Sequence, residues 1–238
     1  VYLYKGDQAN SLLNAKEVID SKKFPWTKQV DFFNLSSSQR DFSFYPEIIT
    51  GWFVPKSKDL VRDLFWVDFP VYAPSITQKD IIYEKGSVGA DDWRFRQWFV
   101  DVPSSTSAGR AIFIKYYWNG DPVRNMHPVL APAIRLSEMY YIAAEASFDT
   151  NPVQATAYVD SVRFHRGIGT EIPKSITKGD FIKKLVEEAR KELYGESQIF
   201  FMHKRLNRDI INVNGMIYPA SDKIFVFPLP LDELGYRN

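Results

Sequence analysis

The sequence predicts a mainly α protein: tetratricopeptide-like helical hairpins joined to a loop-rich layer with short strands. Three observations point there. Apolar residues recur at helical spacing through most of 133–205. Prolines and all six tryptophans crowd into 22–132, which breaks regular structure there. The first 21 residues read as two helical runs separated by Gly6-Asp7. The chain divides on this reading into a helical-repeat hairpin (1–21), a loop-rich ligand layer (22–132) and C-terminal helices with a tail (133–238).

Each element has its own signal. In 7–21, Leu12, Ala15 and Ile19 share one helical face. In the middle, Ile112 to Tyr117 forms a plausible buried strand, and Trp93 to Trp98 suits a packed strand or helix. A helix is expected over 134–148, where Leu136, Met139, Tyr140, Ala143 and Ala144 follow the i, i+3, i+4 pattern. The next is expected over 152–166, with Asn151 as N-cap, Pro152 at the first helical position and Gly167 at the end. A last one is expected over 179–195, preceded by a Thr177–Asp180 capping pair. Its pairs Lys183–Glu187, Lys184–Glu188 and Glu187–Lys191 read as a solvated outer face. Lys223 to Phe227 reads as a short strand stopped by Pro228 and Pro230.

Composition excludes several functions. Thirty basic and 29 acidic residues leave a net charge of +1, spread along the chain, so nucleic acid is not a partner. The absence of cysteine rules out disulfides and thiolate metal sites. No apolar run approaches the ~18 residues of a membrane span. Val1 to Tyr4 is neither a translation start nor a signal peptide, and it reads as the interior of an element in a longer protein. Its apolar residues are then expected to lack partners here.

Catalysis finds little support. Glycoside hydrolysis needs two carboxylates about 5–9.5 Å apart across a cleft. Asp91-Asp92 is the best cluster, but neighbouring side chains diverge, and an Asp beside Arg94 is more naturally an ion pair. His127, His165 and His203 lack metal-ligand spacing, and there is no nucleophile elbow or phosphate loop. No catalytic residue, metal or cofactor is expected.

Four segments, in order, resemble the SusD/RagB family. PAIRLSEMYYIAAEA (132–146) resembles its P-x-I-R-L-A-E-M-Y-L-I-A-A-E-A helix. VDSVRFHRG (159–167) resembles its V-N-x-V-R-x-R-A/G helix end. EARKELYGE (188–196) with FFMHKRLN (200–207) resembles its E-R-x-x-E-F-x-G-E-G-x-x-F-x-x-x-K-R-L-N stretch. FPLPLDELGYRN (227–238) resembles its terminal P-L-P-x-x-E-I-x-Y-x-N. AKEVIDSKKF (15–24) is similar to its helical-repeat segment. Ser197 stands where the family has glycine, and Ser137 where it has alanine; both read as packing positions. Arg190, Glu192, Glu196, Lys204 and Arg205 suit paired charges between helices.

The resemblance implies a SusD-like α/α superhelix and the C-terminal part of a surface lipoprotein. It implies an outer membrane location through an N-terminal lipid and a SusC-like TonB-dependent transporter as partner. The implied ligand is an oligosaccharide or another polymeric nutrient. Sugars offer flat C–H faces to aromatic rings and hydroxyls to polar side chains. The site is expected on the loop-rich layer at Trp66, Tyr72 and Trp118, next to proline and turn signals. A helical-repeat scaffold that binds partner proteins is the other class considered. The helix pairs fit it, but the proline- and Trp-rich middle does not.

Overall fold

Asp7 begins the first long helix by chemistry that its sequence announces. Its carboxylate accepts the backbone N–H of Asn10 at 3.0 Å, after Gly6 has turned the chain at φ 74°. Helix α1 (Gln8–Ser21) follows and buries Ser11 and Ala15. The computed structural model describes residues 1–31, 33, 41–56, 61–62, 64–65, 72–104, 109–116, 127 and 129–228. The described residues fall into two units, Val1–Glu192 and Leu193–Asn238.

Within the first unit, α1 is followed by strand β1 (Ile48–Phe53), helix α2 (Ile76–Ile82), helix α3 (Trp93–Gln97), β2 (Phe99–Val102), β3 (Arg110–Phe113) and β4 (Leu130–Arg135). Then come α4 (Leu136–Ser147), α5 (Pro152–Phe164) and α6 (Lys178–Glu192). The strands form antiparallel ribbons, β1 with β4 and β2 with β3. Helix α1 packs on α4, α4 on α5, and α6 meets both α4 and α5.

Small side chains let these helices approach. Ala143, Ala144, Ala155, Val159 and Val162 are fully buried, with Phe181 and Leu185 from α6. Phe148 stacks on Phe181 with centroids 4.3 Å apart. Burying a Leu or Phe side chain contributes about 1.5–3 kcal/mol, so this apolar stripe dominates the helical core. The expected caps are present: Asn151 accepts from the Gln154 N–H and Thr177 from that of Asp180. Gly167 ends α5 in the left-handed region at φ 86°.

Three expectations shift. The helix expected from 134 starts at Leu136, because Leu130–Arg135 pairs with β1 first. Glu138 fixes the junction by accepting the Arg135 backbone N–H at 2.9 Å. The strand expected over 112–117 is Arg110–Phe113, with one further bond from the Ile114 N–H to the Trp98 carbonyl. The strand expected over 223–227 is instead a helical turn, α8 (Asp222–Phe225). There the N–H groups of Ile224 and Phe225 both donate to the Ser221 carbonyl, so the backbone is satisfied locally rather than by a neighbouring strand.

The second unit holds α7 (Gln198–Leu206), a short hairpin of β5 (Ile210–Ile211) with β6 (Ile217–Tyr218), and α8. Phe200 meets Phe225 edge-on at 5.8 Å. Ser197 has φ 61°, which explains glycine there: the position is constrained by backbone conformation rather than by packing alone. Ser137 is fully buried, as a packing position should be.

Candidate functional site

The helical side of the first unit is organised around buried charge. Arg94, on α3, holds Asp92 with two short bonds, Nε to Oδ1 at 2.9 Å and Nη2 to Oδ2 at 2.7 Å. Its other edge reaches Glu192 at 3.0 Å and Glu188 at 3.3 Å. Arg166 grips Glu192 at 2.7 and 3.0 Å and Glu47 at 2.6 and 3.0 Å. Its guanidinium also lies over the Phe44 ring at 3.9 Å. All six of these charged side chains are inaccessible to solvent.

Burial alone would raise the Glu192 pKa, but Arg166 and Arg94 beside it hold it well below the usual carboxylate range. Burial opposes the Arg94 charge too, and Asp92 with the two glutamates overrides it. The cluster is therefore a set of fixed ion pairs. Asp92, the most tempting acid in the sequence, is committed to Arg94 rather than offered to a cleft.

The same cluster corrects the reading of α6 as a solvated charge face. Glu188 and Lys191 are fully buried, 3.0 Å apart. Lys191 also bonds Glu84, which receives Lys184 at 2.8 and 2.9 Å. Lys184 and Glu188 are 4.0 Å apart, so that pair forms at the limit of contact. Burial would raise the Glu84 pKa, yet Lys191 and Lys184 bring it down to about 2.

The loop-rich side presents rings instead. Of the three rings expected to form the ligand site, Trp66 and Trp118 lie outside the described residues. Tyr72 is 58% exposed. Its backbone N–H donates to the Leu64 carbonyl at 3.0 Å, and its ring sits 6.0 Å from that of Phe65. A fixed backbone with an outward ring is suited to stacking on a flat ligand face. Tyr45, Trp52 and Phe53 are exposed as well, and Tyr45 stacks on His127 with centroids 3.9 Å apart. Sequence reasoning passed over Tyr45 and Phe53. Trp98, by contrast, is a core residue, fully buried with its indole N–H on the Phe42 carbonyl.

Among the described residues no group of acidic or histidine side chains is placed to hold a metal ion. No helix among them is long and apolar enough to cross a membrane.

Comparison with known proteins fits this architecture. Residues 119–228 match the SusD family model, SusD_RagB. No curated protein matches the chain. A SusD superfamily protein from Bacteroides thetaiotaomicron superposes with a TM-score of 0.68 at 18% identity, over 98% of this chain and 56% of that one. One from Bacteroides vulgatus gives 0.69 at 17%, over 99% and 55%. Surface glycan-binding protein A from Bacteroides thetaiotaomicron, solved with laminarihexaose, gives 0.62 at 16%, over 99% and 59%. This chain thus spans little more than half the length of these structures. The matched segment and the shared fold agree, so the chain is similar to the SusD/RagB family.

Proposed function

We propose that this protein captures glycans at the cell surface and passes them to a SusC-like TonB-dependent transporter, without chemical change to the ligand. The observation that carries the reading is the SusD family match at 119–228 in a chain that shares the fold of a protein solved with laminarihexaose. The ligand is an oligosaccharide or another polymeric nutrient. The protein sits on the outer membrane through an N-terminal lipid, and 22–132 is its ligand layer. Trp66, Tyr72 and Trp118 supply the stacking faces; the exposure of the Tyr72 ring supports this choice. The engagement of Asp92 by Arg94 supports binding rather than hydrolysis.

The test is a screen of the full chain against a panel of oligosaccharides, followed by titration of the tightest into Trp66→Ala, Tyr72→Ala and Trp118→Ala. Each loss should weaken binding by about 1 kcal/mol, within the ~0.5–1.5 kcal/mol of a stacked ring pair. Retention of no oligosaccharide defeats the function. Unchanged affinity in all three variants defeats the site. Turnover of a bound oligosaccharide that vanishes in Asp92→Asn defeats the non-catalytic reading.

A further inference from the structure

A second ring-lined surface lies on the first unit, built from segments that contain none of the three rings assigned above. Three distant stretches of chain converge there: 26–29 with Phe33, 91–96 and 164–169. They enclose an open depression of about 640 Å³. That volume is within the roughly 300–1,000 Å³ of small-molecule sites.

Its rings are held in place. Trp26 lies parallel to His165, with centroids 4.5 Å apart and planes 13° apart. Phe33 meets Trp93 edge-on at 5.9 Å. The Trp93 backbone is tied to that of Arg166 by a 2.8 Å bond, and its indole passes so close to Gly167 that a Cβ there would stand 2.4 Å from Nε1. Phe164 rises at the edge, 68% exposed and perpendicular to His165 at 5.5 Å. Trp26, Phe33 and Trp93 do not need to be ordered when a ligand arrives, which reduces the entropic cost of binding.

The rim chooses the ligand. Lys28, Arg96 and Asp91 all line the depression and are all exposed. Donors and an acceptor of opposite charge surround fixed aromatic faces. The rim thus offers both donors and an acceptor to the hydroxyls of a polyol.

We propose that this depression is a second carbohydrate subsite, taking a short stretch of a neutral oligosaccharide with pyranose faces against Trp93 and Phe164. The proposal rests on the glycan-binding reading above and extends it to a separate surface.

Its test uses the same full chain and the tightest oligosaccharide from a panel that includes laminarihexaose. Phe164→Ala and Trp93→Ala should each weaken binding about 2- to 12-fold. Phe164→Ala should leave the melting temperature unchanged, because its ring is exposed; it keeps the test valid if Trp93→Ala folds poorly. The indole resonances of Trp26 and Trp93 should move during the titration. If the oligosaccharide binds but both variants match the wild type and neither indole moves, the subsite is refuted and the glycan-binding function stands. If no oligosaccharide binds, both are refuted. A dimer that Phe164→Asp dissociates, with no change in glycan affinity, would also refute it by making this face a protein interface.

Discussion

The helices and the loop-rich segment before them share one buried charge cluster but differ in the rings they leave exposed. Across α4–α6 charge is buried and paired, and rings such as Phe148 and Phe181 are covered, with Phe164 at the end of α5 the exception. Around β1 and residue 72 the rings stand out in solvent: Tyr45, Trp52, Phe53 and Tyr72 are all exposed. The ion pairs link remote segments, Glu47 to Arg166 and Arg94 to Glu192, so they fix the frame from which the loops project. A contact surface needs rings that its own fold does not consume. Here the frame pairs its buried glutamates and arginines internally and leaves the loop rings available.

The largest break in that contrast should come from Glu192→Gln. Among the described residues, Glu192 is the carboxylate that both Arg94 and Arg166 bond. Its loss leaves two buried guanidiniums under-compensated, and removing one partner of such a pair costs roughly 3–5 kcal/mol. Urea unfolding should show the loss as a lower midpoint with an unchanged slope. A shift below about 1 kcal/mol would mean that the cluster tolerates unpaired charge and is not the frame described here.

Gly167→Ala comes next. The residue has φ 86°, and a new Cβ would meet Trp93 Nε1 at 2.4 Å and the Asp91 carbonyl at 2.5 Å. A side chain in the left-handed region is strained, and the carbonyl is backbone that cannot step aside, so about 1–3 kcal/mol is expected. Thermal melting with tryptophan fluorescence checks both effects. An unshifted melt with native emission would show that this turn is looser than its geometry implies.

Acid offers a milder probe. The Glu84 pKa lies at about 2 in the folded protein against an ordinary 4.5. A depressed carboxylate adds stability that is fully present above pH 4.5 and is lost as pH falls towards 2. Its side chain is 30% exposed, so about 1–2 kcal/mol is expected rather than the full linkage value. Wild type and Glu84→Gln should therefore differ most above pH 4.5 and converge towards pH 2. Parallel stability curves through that window would count against the Lys191–Glu84 contact.

Local features were legible in the sequence because their causes are local. The Asn151 cap, Pro152 at the helix start and the apolar stripe of α5 each depend on neighbours within a turn. The fate of charge was not legible. Lys184, Glu188 and Lys191 recur at helical spacing whether the facing surface is water or another charged segment. What buries Glu188 and Lys191 comes from Arg94 and Glu84, about a hundred positions earlier. The tail turn at 222–225 was missed for a related reason: the β-branched and aromatic run Ile224–Phe227 suggests a strand, but a strand also needs a neighbour to pair with. Of the site, an outward Tyr72 followed from the proline and charge before it. The meeting of Trp26, Trp93 and Phe164 did not, since nothing in three separate segments announces that they converge.

The smallest expected effect is the sharpest test of the contrast. Tyr72→Ala removes a ring that is 58% exposed and that approaches Phe65 only at 6.0 Å. The backbone bond from Tyr72 to Leu64 does not depend on the side chain and should survive. Substitutions of this kind usually stay within about 0.5 kcal/mol. By comparison, Phe181→Ala in the helical core deletes a fully buried ring and should cost about 3–5 kcal/mol. For a chain of this size 1 kcal/mol moves the melting temperature by about 2–4 °C, so the Tyr72 variant should melt within about 2 °C of wild type. Glycan affinity should fall in the same protein, separating a contact ring from a structural one. If instead the melting temperature dropped as far as in Phe181→Ala, Tyr72 would belong to the packed frame, and the division between covered and available rings would fail at the residue that best represents it.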